Sequence, residues 1–401
     1  MRRIVILSYT EKGRQLNSRV SEYLEKKGDV AVSYCCGAGD KSKVMSTNSD
    51  CDIYKGRIMS TGEILQQEWN CSSALVFIGA MGIAVRHVAT FLQSKCSDPA
   101  VLVLDEKGQF VIPVLSGHIG GGVRLARELA RHLGAQAVIT TATDVENQFA
   151  VDVFAQRNHL WIENPDRIKG ISSALLHGRM VDVWTRLPIV GDMPEGLRVV
   201  PVGIGEEISQ QDRMELRDRG TLCTAITIGL TPEVQEKIYR IYDASQVCEL
   251  QPRQYILGLG CKKGKTVEEL EGFLREICKT QQIDIHEIGA IASIDVKKEE
   301  KGIWELSRRI GADFEVFTQQ ELEQIEETVT PSDFVKETVG VDNVCERSAY
   351  CLAKRWTQEQ SPAEITGYTE EDRLVLGKQA RDGMTMALVK FVPQISWQKI
   401  Q

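Results

Sequence analysis

No run of eighteen apolar residues occurs anywhere in the 401-residue chain, so the sequence offers no membrane-spanning helix. The opening Met1-Arg-Arg-Ile-Val-Ile-Leu-Ser8 stops being apolar after four positions, too short for the core of a secretion signal, and reads as a first strand. Histidine is scarce, six residues in all, and none of the eleven cysteines falls in a Cys-x-x-Cys pair or a Cys/His cluster with zinc spacing. That spacing excludes a structural zinc site and makes the cysteines, the adjacent Cys35 and Cys36 included, reduced and mostly buried residues of a cytoplasmic protein. Positive charge is in deficit: 48 Lys and Arg against 56 Asp and Glu leave a net charge of −8. This argues against non-specific attraction to nucleic acid, and any anionic ligand must be met by local cations.

What is present is ordinary globular material, 42% hydrophobic and 26% charged, over a length that implies two or three domains. The periodicities predict an α/β protein with mixed, mostly parallel sheets and flanking helices. An N-terminal α/β domain is expected over 1–135, a central α/β region over 136–230, a connection over 231–253, and a C-terminal α/β domain over 254–401. Strands at 3–8 and 30–34 flank a helix at 13–27, and residues 38–56 read as a polar loop. Strands at 101–104 and 110–115 flank Asp105-Glu-Lys-Gly108, a hairpin turn that makes the sheet mixed. In the tail, alternation around 374–376 and 384–389 predicts an antiparallel pair.

Chemistry concentrates where strands end in glycine. Val111-Ile-Pro-Val-Leu-Ser-Gly-His-Ile-Gly-Gly-Gly-Val-Arg124 reads as a buried strand running through Ser116, Gly117, His118, Gly120, Gly121 and Gly122 into a helix. Glycines let backbone N–H groups approach a ligand closely, and a helix start favours an anionic group. His118 is the titratable residue of that turn, and the partial positive charge of the helix start favours the neutral imidazole that a general base needs. A second such turn, Gly79-Ala-Met-Gly82, precedes a helix with Arg86 and His87, and a third strand end carries Thr141, Thr143 and Asp144. Open α/β sheets bind ligands at the carboxyl ends of their strands, so the turns around 79–86 and 116–122 are expected to line one cleft. For each turn alone the plain alternative is a tight bend without a ligand, with His118 packed and Thr143 or Asp144 capping a helix. Val114 holds the first glycine position of a Gly-x-Ser-x-Gly motif, so Ser116 reads as a hydrogen-bonding residue rather than a nucleophile.

Farther on, Tyr255-Ile-Leu-Gly-Leu-Gly-Cys-Lys-Lys-Gly-Lys-Thr266 is again strand, loop and helix start, with Thr266 and Glu269 spaced as a capping box. It is not a nucleoside-triphosphate loop, because Leu259 stands where that motif needs its first glycine. Lys262, Lys263 and Lys265 at a helix start make either a carboxylate or phosphate clamp or a solvated basic loop.

Taken together, Gly79-Ala-Met-Gly-Ile-Ala-Val-Arg86, Leu115-Ser-Gly-His-Ile-Gly-Gly121, Thr140-Thr-Ala-Thr-Asp144 and Leu257-Gly-Leu-Gly-Cys-Lys-Lys-Gly264 resemble, in order and spacing, the cobalt-precorrin-5A hydrolase family of anaerobic cobalamin (vitamin B12) synthesis. The likeness covers nearly the whole chain and is weakest in the middle and over 1–50. Two places depart from the family: Gly122-Val123 replaces Ala-Asn, and Arg347-Ser348 follows Cys345-Glu346 in place of alanines, a change expected to alter only helix packing. What the resemblance implies is a hydrolase that opens the δ-lactone on ring A of cobalt-precorrin-5A and releases the extruded carbon with its methyl group as acetaldehyde, leaving cobalt-precorrin-5B.

For that chemistry His118 is the expected base and then acid, with Arg86, His87 and Asp144 as further catalytic candidates and the N–H groups of 120–122 or Arg86 as oxyanion partners. Gly79, Gly82, Ser116, Gly117, Gly120, Gly121, Arg124, Thr141, Thr143, Gly258, Gly260, Lys263 and Lys265 are the expected substrate contacts, the cations meeting acetate and propionate carboxylates of the macrocycle. No protein-held metal and no cofactor are expected, because cobalt arrives with the substrate. The expected partner is a cobalt-corrinoid small molecule, with no nucleic acid and no membrane, and either a homodimer or transient contact with neighbouring pathway enzymes. A non-catalytic corrinoid carrier and an S-adenosylmethionine-dependent tetrapyrrole methyltransferase are the rival readings.

Overall fold

The computed structural model describes residues 1–37, 41–44, 59–94, 97–117, 120–140, 148–201, 224–327, 329–332, 336–337, 339–359, 373–391 and 394–397. They form a multi-domain α/β protein of mixed, mostly parallel sheets that divides into two compact units: Met1–Ile139 with Tyr255–Lys390, and Thr140–Gln254 with Phe391–Gln401.

The chain opens with β1 (Arg3–Ser8), α1 (Glu11–Lys26), β2 (Val30–Gly37), β3 (Lys41–Val44), α2 (Thr61–Glu68), β4 (Ala74–Ile78), α3 (Met81–Val88), β5 (Ala100–Leu104), β6 (Phe110–Leu115), α4 (Gly122–Leu133) and β7 (Gln136–Ala137). Its seven strands make one sheet in the order β3-β2-β1-β4-β5-β6-β7. Every residue of β1, β4 and β5 is buried, which is why they read as unbroken apolar runs rather than alternating ones. Alternate residues still sort by face. Ile4 and Ile6 pack under α1 and α4 with Leu16, Val20, Leu24, Leu125 and Leu129. Val5 and Leu7 pack under α2 and α3 with Ile64, Leu65, Ala84 and Val88. Residues 41–44, expected within a loop, pair antiparallel with β2. Lys-Ser-Lys-Val carries no apolar alternation to announce a strand, and short charged sequences are usual at sheet edges.

The second unit follows with α5 (Val151–Arg157), β8 (Leu160–Ile162), α6 (Ile168–Leu176), β9 (Val181–Thr185), β10 (Ile189–Val190), β11 (Leu197–Pro201), β12 (Thr224–Ile228), α7 (Pro232–Tyr239) and β13 (Val247–Pro252). Its five-stranded sheet runs β11-β9-β12-β13-β8. Here 231–253 differs from the expected connection, since it supplies α7 and the interior strand β13. Its two prolines mark element boundaries: Pro232 opens a helix, where a missing N–H is harmless, and Pro252 ends a strand. Buried Asp182 accepts from the Tyr242 hydroxyl at 2.6 Å and Arg198 Nε at 2.8 Å, fixing β9.

The first unit resumes with β14 (Tyr255–Cys261), α8 (Val267–Gln281), β15 (Ile288–Ile294), α9 (Lys301–Ile310), β16 (Asp313–Phe317), α10 (Gln319–Glu323), α11 (Cys345–Glu359), β17 (Leu374–Arg381) and β18 (Met384–Lys390). The sheet order is β16-β15-β14-β18-β17, with β17 and β18 an antiparallel pair. The stretch 254–401, expected as one domain, is divided at its end: β19 (Ile395–Ser396) pairs with β10 in the second unit. Too short to show a period, it is anchored through the Asn158 side chain, whose Oδ1 accepts from Ser396 N at 2.7 Å.

Candidate active site

Strand direction decides which glycine turns can meet. β4 and β5 are parallel, so Ile78 lies level with Leu104, and the Gly79 N–H donates to the Leu104 carbonyl at 2.9 Å. β6 returns antiparallel to β5, putting Leu115 opposite Val101. The 79–86 turn therefore leaves one end of the sheet and the 116–122 turn the other, about 15 Å away for five residues of strand. This corrects the expectation of one shared cleft. The reversal is made by Asp105, whose carboxylate accepts from the N–H groups of Lys107, Gln109 and Phe110, and by Gly108 at φ 66°. Gly79, Gly82, the exposed Arg86 and the half-buried His87 thus stand apart from Ser116, Gly117, Gly120, Gly121 and Arg124. Neither Arg86 nor His87 can assist chemistry at the 116–122 turn. His118, Thr141, Thr143 and Asp144 lie outside the described residues.

The turn between β6 and α4 is closed by its own backbone. Ser116 sits at φ 51°, rare for a residue with a side chain, and Gly121 at φ 74°. Gly122 N donates to Ser116 O at 3.2 Å and Val123 N to Gly117 O at 2.9 Å. A Cβ on Gly120 would stand 2.7 Å from the Ser116 carbonyl oxygen, so glycine is required there. The Gly122 N–H, one expected oxyanion donor, is already engaged. The positive end of the twelve-residue helix α4 still faces the turn, with Arg124 exposed on its first helical turn.

Beside this edge runs a seam of buried charge that sequence reasoning missed. Glu68, fully buried at the end of α2, accepts from Arg3 Nη2, the Tyr34 hydroxyl and Lys301 Nζ, each at 2.9 Å. Burial alone would raise its carboxyl, but Arg3 and Lys301 outweigh that and hold it below the usual carboxylate range. Cys71 beside it is pushed up to about 12 by burial and by the Glu68 charge, and so stays a thiol. At the other end of α9, Arg308 Nη2 donates to the Ser97 carbonyl at 2.6 Å. Lys301 and Arg308 are seven residues apart, two turns and one helix face, about 10 Å. That matches the two strand spacings from β1 through β4 to β5. Helix α9 therefore lies across the Ser116 end of the sheet, and the turn from β6 is next in line beyond Arg308.

The depressed Glu68 value has a pH consequence with a fixed sign. A carboxylate whose folded-state pKa lies below its unfolded value stabilises the protein above about pH 4.3, and that contribution is lost as pH falls through the folded value. Denaturant melts along an acid series are expected to lose stability below about pH 4 in the wild type, and to lose less over that range in Glu68→Gln.

Part of the basic loop after β14, expected to meet an anion, is already engaged. Lys265 Nζ is paired with Glu269 at 2.6 Å, and the Gly264 N–H donates to Glu300 Oε2 at 3.0 Å. Lys263 remains exposed. Gly258 and Gly260, expected at the substrate, serve packing. A Cβ on Gly258 would overlap the carbonyl oxygen of Cys345, and one on Gly260 would come 2.6 Å from Thr385 Oγ1. The strand can approach the first turn of α11 only because it lacks a side chain there, so Gly258→Ala should destabilise by at least about 1–3 kcal/mol. A thermal melt matching the wild type would refute this. Arg347 and Ser348, the departure from the family pattern, tie α11 down. Arg347 Nη1 donates to Ile325 O at 2.8 Å and Ser348 Oγ to Ala292 O at 3.0 Å.

Among the described residues, no group of three or more His, Cys, Asp or Glu could hold a metal ion, and no helix is long and apolar enough to cross a membrane.

Comparison with known proteins agrees across all three regions. The family described as cobalamin synthesis G N-terminal matches residues 63–144, the cobalamin biosynthesis central region 149–209, and the cobalamin synthesis G C-terminus 255–389. The cobalt-precorrin-5A hydrolase of Salmonella typhimurium is 33% identical over 72% of this chain and 78% of its own length. That of Priestia megaterium is 31% identical over 69% of this chain and 71% of its own. The solved structure of CobE, a protein of the cobalamin biosynthetic pathway, aligns with 35% of this chain and 92% of its own at 25% identity and a TM-score of 0.30. With 292 residues aligned to a curated hydrolase and matches in its N-terminal, central and C-terminal parts, this chain belongs to the cobalamin synthesis G family, that of the cobalt-precorrin-5A hydrolases.

Proposed function

We propose that this protein hydrolyses cobalt-precorrin-5A, opening the ring A δ-lactone and releasing acetaldehyde to leave cobalt-precorrin-5B. The observation that carries the reading, beside the family, is the β6–α4 turn. It brings Ser116, Gly117, Gly120 and Gly121 to the positive end of α4, with Arg124 on that helix and Arg308 on α9. His118 removes a proton from water as it adds to the lactone carbonyl, and the helix end favours the oxyanion that forms. Collapse breaks the acyl C–O bond and frees a carboxylate and an alcohol. The alcohol then gives its proton to solvent as the bond to the ring carbon breaks to release acetaldehyde, and the electron pair left on the macrocycle takes the proton held by the imidazolium.

The same proposal places the protein in the cytoplasm, acting on a small-molecule corrinoid with no cofactor of its own, as a homodimer or in transient contact with neighbouring enzymes of the pathway. Turnover in ¹⁸O-water tests the acyl route. The label should enter a macrocycle carboxylate, read by mass because free aldehyde exchanges its oxygen with solvent. An unlabelled macrocycle would mean that water attacks the adjacent carbon instead.

A further inference from the structure

We infer that Arg308, on the helix lying across the Ser116 end of the N-terminal sheet, is a specificity-determining residue that binds a peripheral carboxylate of the macrocycle. This rests on the reading just given, that a polycarboxylate corrinoid is processed at the β6–α4 turn. Arg308 belongs to the C-terminal region in sequence but sits at the N-terminal sheet, its guanidinium against the Ser97 carbonyl at 2.6 Å. Ser97 lies three residues before β5, whose first residue, Ala100, is in van der Waals contact with the Gly122 position, 3.4 Å from a Cβ placed there. Three residues of chain span at most about 10 Å, so the guanidinium is within reach of any ligand seated at the turn.

The surroundings of Arg308 differ from those of the other cations on this edge. Arg3 and Lys301 share Glu68, with Glu299 also 3.8 Å from Arg3, and Arg2 is paired with Asp29 and Glu128. Arg308 bonds a carbonyl oxygen, which takes one of its five donors and none of its charge. The carboxylate nearest to it in the field, Asp98, is turned to the Gln93 N–H at 3.0 Å. Burial presses the guanidinium downward from its ordinary value, and the fields of Cys71 and Asp98 oppose this without reversing it. A half-buried, planar cation that bonds no carboxylate among the described residues is suited to bidentate recognition of an incoming one.

The test is KM and kcat for wild type, Arg308→Met and Arg308→Lys with cobalt-precorrin-5A under anaerobic conditions, together with equilibrium binding of the same macrocycle and a thermal melt of each variant. Arg308→Met should raise KM and Kd about 10–100-fold, with kcat changed little. Arg308→Lys, which keeps the charge but loses the fork, should recover part of that loss. Both variants forfeit the Ser97 bond geometry, so a purely structural role would lower the melting temperature in both and leave KM where it was, overturning the inference. Equal loss in Met and Lys variants without a KM effect would do the same. If the wild type binds the macrocycle but releases no aldehyde, the hydrolase reading fails, and the Kd comparison still decides the role of Arg308.

Discussion

Replacing His118 with asparagine is expected to slow acetaldehyde release from cobalt-precorrin-5A by about 10²–10⁴-fold, the usual loss when a positioned acid–base group is removed. Asparagine keeps hydrogen bonding but cannot carry a proton, so binding of the macrocycle should persist while turnover fails, and alanine should be about as slow. The strand directions narrow the alternatives. His87 belongs to the opposite end of the sheet, with the 79–86 turn, so it cannot take over the task. Near-normal release from His118→Asn would reduce that residue to shaping the turn or holding substrate, and would pass the acid–base role to Asp144.

Removing the Glu68 carboxylate should have the largest effect on stability. Arg3 and Lys301 both meet it at 2.9 Å, and Arg3 is itself 3% exposed. In Glu68→Ala the buried Arg3 would lose its 2.9 Å counter-charge and keep only Glu299 at 3.8 Å, a loss of about 3–5 kcal/mol. The same seam joins the N-terminal sheet to α9, so the damage should spread to the placement of Arg308 and raise KM as well. An all-apolar replacement of Arg3, Glu68 and Lys301 together should be far milder than Glu68→Ala alone, because buried ion clusters stabilise little relative to well-packed apolar residues. A Glu68→Ala protein that melts with the wild type would show that water reaches the seam.

Much of this fold was legible in the sequence. The unbroken apolar runs of β1, β4 and β5, the helical stripe of α4 and the capping box at Thr266 each carry their own local signal. What failed was the combination of signals. The turn at Asp105 announced an antiparallel return of β6, and that return already implied that the 116–122 turn could not share an edge with the 79–86 turn. Elements whose sequences lack periodicity were missed: β3, an edge strand bearing two lysines, and β13, which ends on Pro252 in a stretch that opens at Pro232 and so looks like a linker. The buried seam did leave a trace. Glu68 continues the Thr61, Ile64, Leu65 stripe of α2 at helical spacing, and Arg3 opens a strand buried along its length, so each puts a charge where an apolar residue belongs. A pair of opposite charges on inward positions is a contact waiting for a partner. No local pattern could have named Lys301 and Arg308 as the residues that meet this edge, because that pairing spans more than two hundred positions of chain.

The central claim is that this protein turns over cobalt-precorrin-5A rather than carrying or methylating it. Anaerobic incubation of the purified protein with that macrocycle, with an aldehyde trap and with or without S-adenosylmethionine, tests it most directly. One acetaldehyde per macrocycle, independent of the methyl donor and largely lost in His118→Asn, is the result expected. Tight binding with no trapped aldehyde, or product formed only when the methyl donor is present, would contradict it.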